Sequence, residues 1–153
     1  MEIMQTFDEE TISQLNKSIQ ERHHRLYPEY FKPYHAEDVR CFFRGIIHNP
    51  HFIFLLLTEH EQPVGYAWIE VKQHPENAFK HAYKSIILHQ ISMNEAYMNN
   101  GYGSKLLEHI EQIAKSHQVN RIELDYWVLN EDAKAFYEKR GFKRHRDFVY
   151  KEV

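Results

Sequence analysis

The stretch that most constrains this chain runs from Ser85 to Ile110, SIILHQISMNEAYMNNGYGSKLLEHI. It opens with an apolar, β-branched run, Ile86, Ile87 and Leu88, and continues through Ile91 to Met93, which reads as a buried strand. Gly101-Tyr102-Gly103-Ser104 follows, and then Leu106, Leu107, Ile110, Ile113 and Ala114 recur at helical spacing. A strand, a short glycine-bearing loop and a helix N-terminus make an anion site. The first-turn N–H groups have no partner inside the helix, and the helix dipole favours negative charge there. Glycine lets a phosphate come close to the backbone and permits positive φ where the turn needs it. The loop suits a diphosphate. It is not the dinucleotide pattern G-x-G-x-x-G, because Leu106 stands where the third glycine belongs, and no P-loop pattern occurs.

At 153 residues the chain is long enough for one domain with a substantial core, and residues 1–153 are read as that single domain. A net charge of −3 with no basic stripe argues against a nucleic-acid partner. The one cysteine, Cys41, rules out a disulfide framework, and its neighbours Val39, Phe42 and Phe43 suggest that it packs within a helix. The longest strongly apolar run, Phe52 to Leu57, is too short to span a membrane, so no membrane partner is expected. The acidic N-terminus (Glu2, Asp8, Glu9, Glu10) has the wrong charge for a signal peptide, so a cytoplasmic location is expected.

Asp8 suits an N-cap for a first helix that carries Thr11, Ile12, Leu15 and Ile19. Pro28 and Pro33 leave residues 27–35 as a loop, and a second helix fits residues 36–48. Residues 52–58 and 64–71 read as a hairpin, with a turn near Glu61-Gln62-Pro63. After the strand, loop and helix described above come a strand over 121–128, a helix over 130–140 and a last strand near 142–151. This order is that of an α+β fold: one mixed, mostly antiparallel central sheet flanked by about four helices.

Two motifs carry a family resemblance. Met98-Asn99-Asn100-Gly101-Tyr102-Gly103 is similar to the pyrophosphate loop [RQ]-x-x-G-x-[GA] of the GNAT superfamily of N-acetyltransferases, with Met98 where Arg or Gln is usual. Downstream, Asn130, Ala133, Phe136, Tyr137, Gly141 and Phe142 match the family's N-x-x-A-x-x-[FL]-Y-x-x-x-G-F. The resemblance spans about residues 85–145.

What the resemblance implies is a GNAT fold and transfer of an acetyl group from acetyl-CoA, as co-substrate, to a primary amine, without a metal. The backbone of Ile91, Ser92 and Met93 would pair with the pantetheine arm, and the Met93 N–H would face the thioester carbonyl. The N–H groups of Asn99, Asn100, Gly101, Tyr102, Gly103 and Ser104 would hold the diphosphate. Asn130 would bond the pantetheine, and Tyr137 would be the acid that protonates the leaving thiolate. His89 and Asp125 are the two candidate bases, with loss of the proton to bulk water as the third course. On a regular strand His89 shares a face with Ile91 and Met93, which would turn it into the cofactor gap.

The acceptor, a small-molecule amine or a peptide or protein amine, would lie along residues 22–35. There Tyr27, Tyr30, Phe31 and Tyr34 offer an aromatic wall and Glu29 a charge for a cation. A homodimer is left open. Two rival readings share the same loop: a GNAT-fold module that binds acyl-CoA without turnover, and a binder of ATP or NAD.

Overall fold

The computed structural model describes all of residues 1–153. In chain order the elements are β1 (Glu2–Gln5), α1 (Glu9–Leu26), α2 (Ala36–Ile46), β2 (Phe52–Glu59), β3 (Gln62–His74), β4 (Tyr83–Met93), α3 (Tyr102–Ser116), β5 (Ile122–Glu123) and α4 (Glu131–Lys139). A 3₁₀ turn, Glu95–Tyr97, links β4 to the loop before α3. The strands form one sheet in the order β1-β2-β3-β4-β5, antiparallel throughout except for β4 and β5. The expected α+β architecture, a mixed sheet with four helices, is the one found.

Strand alternation sends side chains to two cores, one on each side of the sheet. Phe54 and Tyr66 join Ile12 and Leu15 of α1 and Phe43 and Ile47 of the α2 region. Leu55, Leu57, Ala67 and Ile69 join Leu106, Leu107, Ile110 and Ala114 of α3, and Tyr137 of α4. Each fully buried aliphatic or aromatic side chain of this kind contributes about 1.5–3 kcal/mol. The β2–β3 turn falls at His60-Glu61, both at positive φ (48° and 64°), one step earlier than the sequence suggests. That two-residue geometry matches the twist of the flanking strands.

Three expectations are corrected. Cys41 lies on the exposed side of α2, facing Glu37 at 3.5 Å, and packs into neither core. The strand expected over 121–128 pairs only at Ile122 and Glu123, because β4 and the following segment part company there and lose the ladder. The last strand, expected near 142–151, does not form: every residue from Lys143 to Val153 is exposed, and no sheet edge of its own chain receives it. β1, which the sequence reading did not foresee, adds to the outer edge of β2 through Glu2↔Thr58 to Gln5↔Leu55.

Candidate functional site: a slot between β4 and the 122–129 segment

β4 and β5 pair at Ile86↔Ile122 and Ile87↔Glu123 and at no later position. Beyond that point Leu88–Met93 forms one wall of a slot and residues 124–129 the other. α1 holds both walls. The Ser18 hydroxyl donates to the Met93 carbonyl at 2.6 Å, and the Ser92 hydroxyl donates to the Leu15 carbonyl at 2.7 Å. At the end of the same helix, the Leu129 N–H donates to the Tyr27 hydroxyl at 2.9 Å. The nine steps from Ser18 to Tyr27 span about 13 Å along a helix axis, which holds the walls apart.

Inside β4 the register against β3 shifts: Trp68 pairs with Gln90 but Ile69 with Leu88, so His89 is an extra residue in a bulge. The bulge reverses the faces that follow it. Ile86 and Leu88 before it, and Ile91 and Met93 after it, pack on the α3 side. Gln90 instead accepts from the Tyr66 hydroxyl at 2.6 Å in the α1/α2 layer. His89 therefore does not share a face with Ile91 and Met93. Its ring stacks on Trp68, centroids 4.5 Å apart, and meets Phe52 edge-on, so it lies towards α1 and α2. Its Nε2 is 2.7 Å from Glu70 Oε2, an oriented imidazole–carboxylate pair.

The far wall alternates in the same way. Leu124 and Tyr126 pack with the α3/α4 core, where the Tyr126 ring stacks on Tyr137 at 6.2 Å. Asp125 and Trp127 then point to the α1 side. Trp127 sits 4.7 Å from the Tyr27 ring, 5.6 Å from Tyr30 and 5.1 Å from Phe31. His23 stacks on Phe31 at 4.6 Å, and burial, then the charge of Arg22, holds its imidazole below the ordinary value. Tyr34 is not part of this wall; its hydroxyl donates to the Ser13 carbonyl at 2.8 Å. Asp125 is exposed.

Tyr137 approaches from the opposite side. It is 7% exposed, ringed by Tyr126, Phe136 and Phe142. Burial pushes its phenol well above the ordinary value, so it keeps its proton across the neutral range. Asn130 is buried and caps α4, its side-chain oxygen accepting from the Ala133 N–H at 3.3 Å.

The loop before α3 is shaped as an anion cradle. Met98 is extended, Asn99 has φ +63° and Gly101 has φ +81°. α1, α2 and α4 each begin with a side-chain cap and two acidic residues in the first turn. α3 has neither: Gly101 caps it without a side-chain bond, and its first turn carries no acid. Arg140, from the end of α4, instead donates through Nη2 to the Ser104 hydroxyl and lies over the Phe136 ring at 5.7 Å. A guanidinium against the positive end of a helix is unfavourable until an anion joins the two. The residues present therefore fit a diphosphate. Gly103 is small for a second reason too: a Cβ there would lie 3.3 Å from Phe136 Cζ.

With that geometry in view, the sequence model of the Acetyltransferase (GNAT) family matches residues 17–142. The chain belongs to the GNAT acetyltransferase family. Among curated proteins it is 26% identical over 101 residues to the uncharacterized N-acetyltransferase YycN of Bacillus subtilis (strain 168). The match covers 65% of this chain and 60% of that relative, so it spans less than two thirds of the relative's length.

Among solved structures, a tetramutant of the BH1408 protein of Bacillus halodurans superposes with a TM-score of 0.93 at 22% identity, covering 100% of both chains. The aminoglycoside N-acetyltransferase AAC(6')-Iy, in complex with CoA, has a TM-score of 0.72 at 12% identity over 99% of this chain and 93% of that one. Both superpositions establish the GNAT fold. No group of three His, Cys, Asp or Glu side chains is arranged to hold a metal ion, and no helix is long and apolar enough to cross a membrane.

Three residues of the candidate site were not legible as such in the sequence: Arg140, Glu70 and Trp127. Arg140 reads there as an ordinary cation at a helix C-terminus, and only the packing of α4 against α3 reveals its place. Trp127 has a visible signal, its alternation with Tyr126 on a strand.

Proposed function

We propose that this chain transfers the acetyl group of acetyl-CoA to an amine by direct attack. The observation that carries the proposal is the acid-free, uncapped start of α3 with Arg140 beside it, opening onto a slot whose two faces hold chemically different groups. The diphosphate would lie on the first-turn N–H groups of Tyr102, Gly103 and Ser104 and on Arg140, and the pantetheine would run between Ile91–Met93 and residues 124–128. Bound there, acetyl-CoA supplies an activated acyl carbon. Family membership speaks for this reading over binding of ATP or NAD.

The division of faces suits the proton traffic. The amine approaches from the α1 side, along Tyr27, Tyr30, Phe31 and Trp127, where the rings attract a cationic or aromatic amine and Asp125 adds charge. His89, oriented by Glu70, takes the proton through water on that side. The amine nitrogen bonds the acyl carbon, the carbon–sulfur bond breaks, and Tyr137 on the other face gives its proton to the departing sulfur. The Met93 N–H would stabilise the oxyanion.

A panel of small amines, peptide N-termini and lysine peptides, read by free-thiol release, tests this. Acetylation of at least one class is expected. CoA binding with no transfer to any class would leave a binding module instead. His89→Gln should lower turnover and flatten the acidic limb of the pH–rate profile, and Asp125→Asn should raise the acceptor KM. Turnover lost in Asp125→Asn but kept in His89→Gln would hand the proton to Asp125.

A further inference from the structure

The β3–β4 ladder decides which backbone groups of β4 face the slot. The Asn94 N–H donates to the Val64 carbonyl at 2.8 Å, and the register pairs Met93 with Gly65, Ser92 with Tyr66 and Ile91 with Ala67. In an antiparallel pair the bonded positions alternate. Asn94 and Ser92 therefore bond β3, while the N–H and C=O groups of Ile91 and Met93 point away from it. β5 leaves β4 after Ile87, so no strand receives those groups. One side chain does: the Ser18 hydroxyl donates to the Met93 carbonyl at 2.6 Å.

Ser18 has a second acceptor in reach. Its Oγ lies 3.0 Å from Ser92 Oγ, and Ser92 is buried with its own proton donated to the Leu15 carbonyl at 2.7 Å. A serine hydroxyl carries one proton and two lone pairs, so Ser92 Oγ can accept from Ser18. Ser18 thus has one proton and two acceptors. Turning about its Cβ–Oγ bond moves the proton from one to the other with no heavy atom displaced.

We propose that Ser18 is a positioning residue: it holds the Met93 carbonyl while the slot is empty and releases it to an amide N–H of the pantetheine arm when acetyl-CoA enters, its proton turning to Ser92. This rests on acetyl-CoA occupying the slot, as proposed above, and adds the side chain that readies the β4 edge for the arm. The carbonyl stays paired in both states, and the arm meets a strand edge already in its bound shape.

Thermal unfolding of the full chain and calorimetric titration test it. Without ligand, Ser18→Ala leaves the Met93 carbonyl without its donor, and the melting temperature should fall by roughly 2–4 °C. With saturating acetyl-CoA the arm supplies that donor, so the gap from wild type should close and the Kd for acetyl-CoA should fall about 5-fold. ADP, which has the diphosphate but no arm, should leave the gap open. Ser18→Thr keeps the hydroxyl and should follow wild type throughout. Ser92→Ala removes the second acceptor, so it should raise the Kd about 5-fold on its own and leave it unchanged in the Ser18→Ala background, where no proton needs a new partner. A gap that acetyl-CoA does not narrow, a gap that ADP closes equally, an unchanged Kd in Ser92→Ala, or the same rise in both backgrounds overturns the proposal. Acetyl-CoA that raises no melting temperature even in the wild type would sink the cofactor reading itself, and this proposal with it.

Discussion

Arg140→Gln isolates the contribution of one guanidinium to the anion cradle. Glutamine keeps a donor for the Ser104 hydroxyl and removes only the charge. A unit charge about 5 Å from a phosphate oxygen is worth roughly 0.8 kcal/mol in water and 3.3 kcal/mol at an effective dielectric of about 20. Arg140 is exposed, so the lower part of that range applies, about 1–1.5 kcal/mol. That corresponds to a Kd for acetyl-CoA raised about 5- to 12-fold.

Calorimetric titration in low salt measures it, with S-acetylpantetheine as the control because it lacks the diphosphate. The control Kd should stay the same in both proteins. At about 1 M salt, where the screening length falls to roughly 3 Å, the difference for acetyl-CoA should largely vanish. Without ligand the variant loses the guanidinium–ring contact with Phe136 but also a repulsion from the end of α3, so its melting temperature should move little. An equal loss for both ligands, or an unchanged Kd for acetyl-CoA, refutes the placement of Arg140 at the diphosphate.

Tyr137→Phe keeps the ring that packs on Tyr126 and Phe142, so KM for acetyl-CoA should hold while kcat falls about 10²-fold; an unchanged kcat reduces Tyr137 to a core residue. Gly65→Ala would put a Cβ 2.7 Å from the Ser92 carbonyl and against the Met93 side chain, and should cost about 1–3 kcal/mol in urea unfolding together with a weaker grip on acetyl-CoA. Wild-type stability in both assays would mean that β3 and β4 yield at that point. The His23 imidazole is depressed when folded, so the unfolded chain binds more protons near its ordinary value of 6.5, and stability should fall as pH drops through and below that value. His23→Phe should make the pH dependence of the melting temperature shallower there, and an identical slope would place the titration elsewhere.

Local chemistry made most of the fold readable. Asp8 and Asn130 cap where their types predict, because a cap depends on a few neighbouring atoms. The loop at Gly101 and the helix after it follow for the same reason. What escaped depends on partners distant in the chain. The length of β5 is set by where β4 leaves it, and residues 143–153 join no ladder of the sheet. The face of His89 turns on one extra residue in β4, and a shift of one reverses every side chain beyond it. Arg140 meets Ser104 across 36 positions, a proximity that periodicity in neither helix encodes.

The double duty of α1 limits how a protein of this shape can change its acceptor. Ser18 grips β4, Tyr27 grips the opposite wall, and the rings that would greet the amine begin in the last turn of the same helix. A substitution that tilts or slides α1 to admit a bulkier amine would also widen or pinch the slot for pantetheine. Residues 28–35 meet the far wall only through the Tyr30 and Phe31 rings against Trp127; Tyr30 stands 61% exposed on the rim, and the two prolines, Pro28 and Pro33, stiffen the path on either side. If the amine docks as proposed, a change of acceptor is accommodated more readily in that loop than in the helix beneath it.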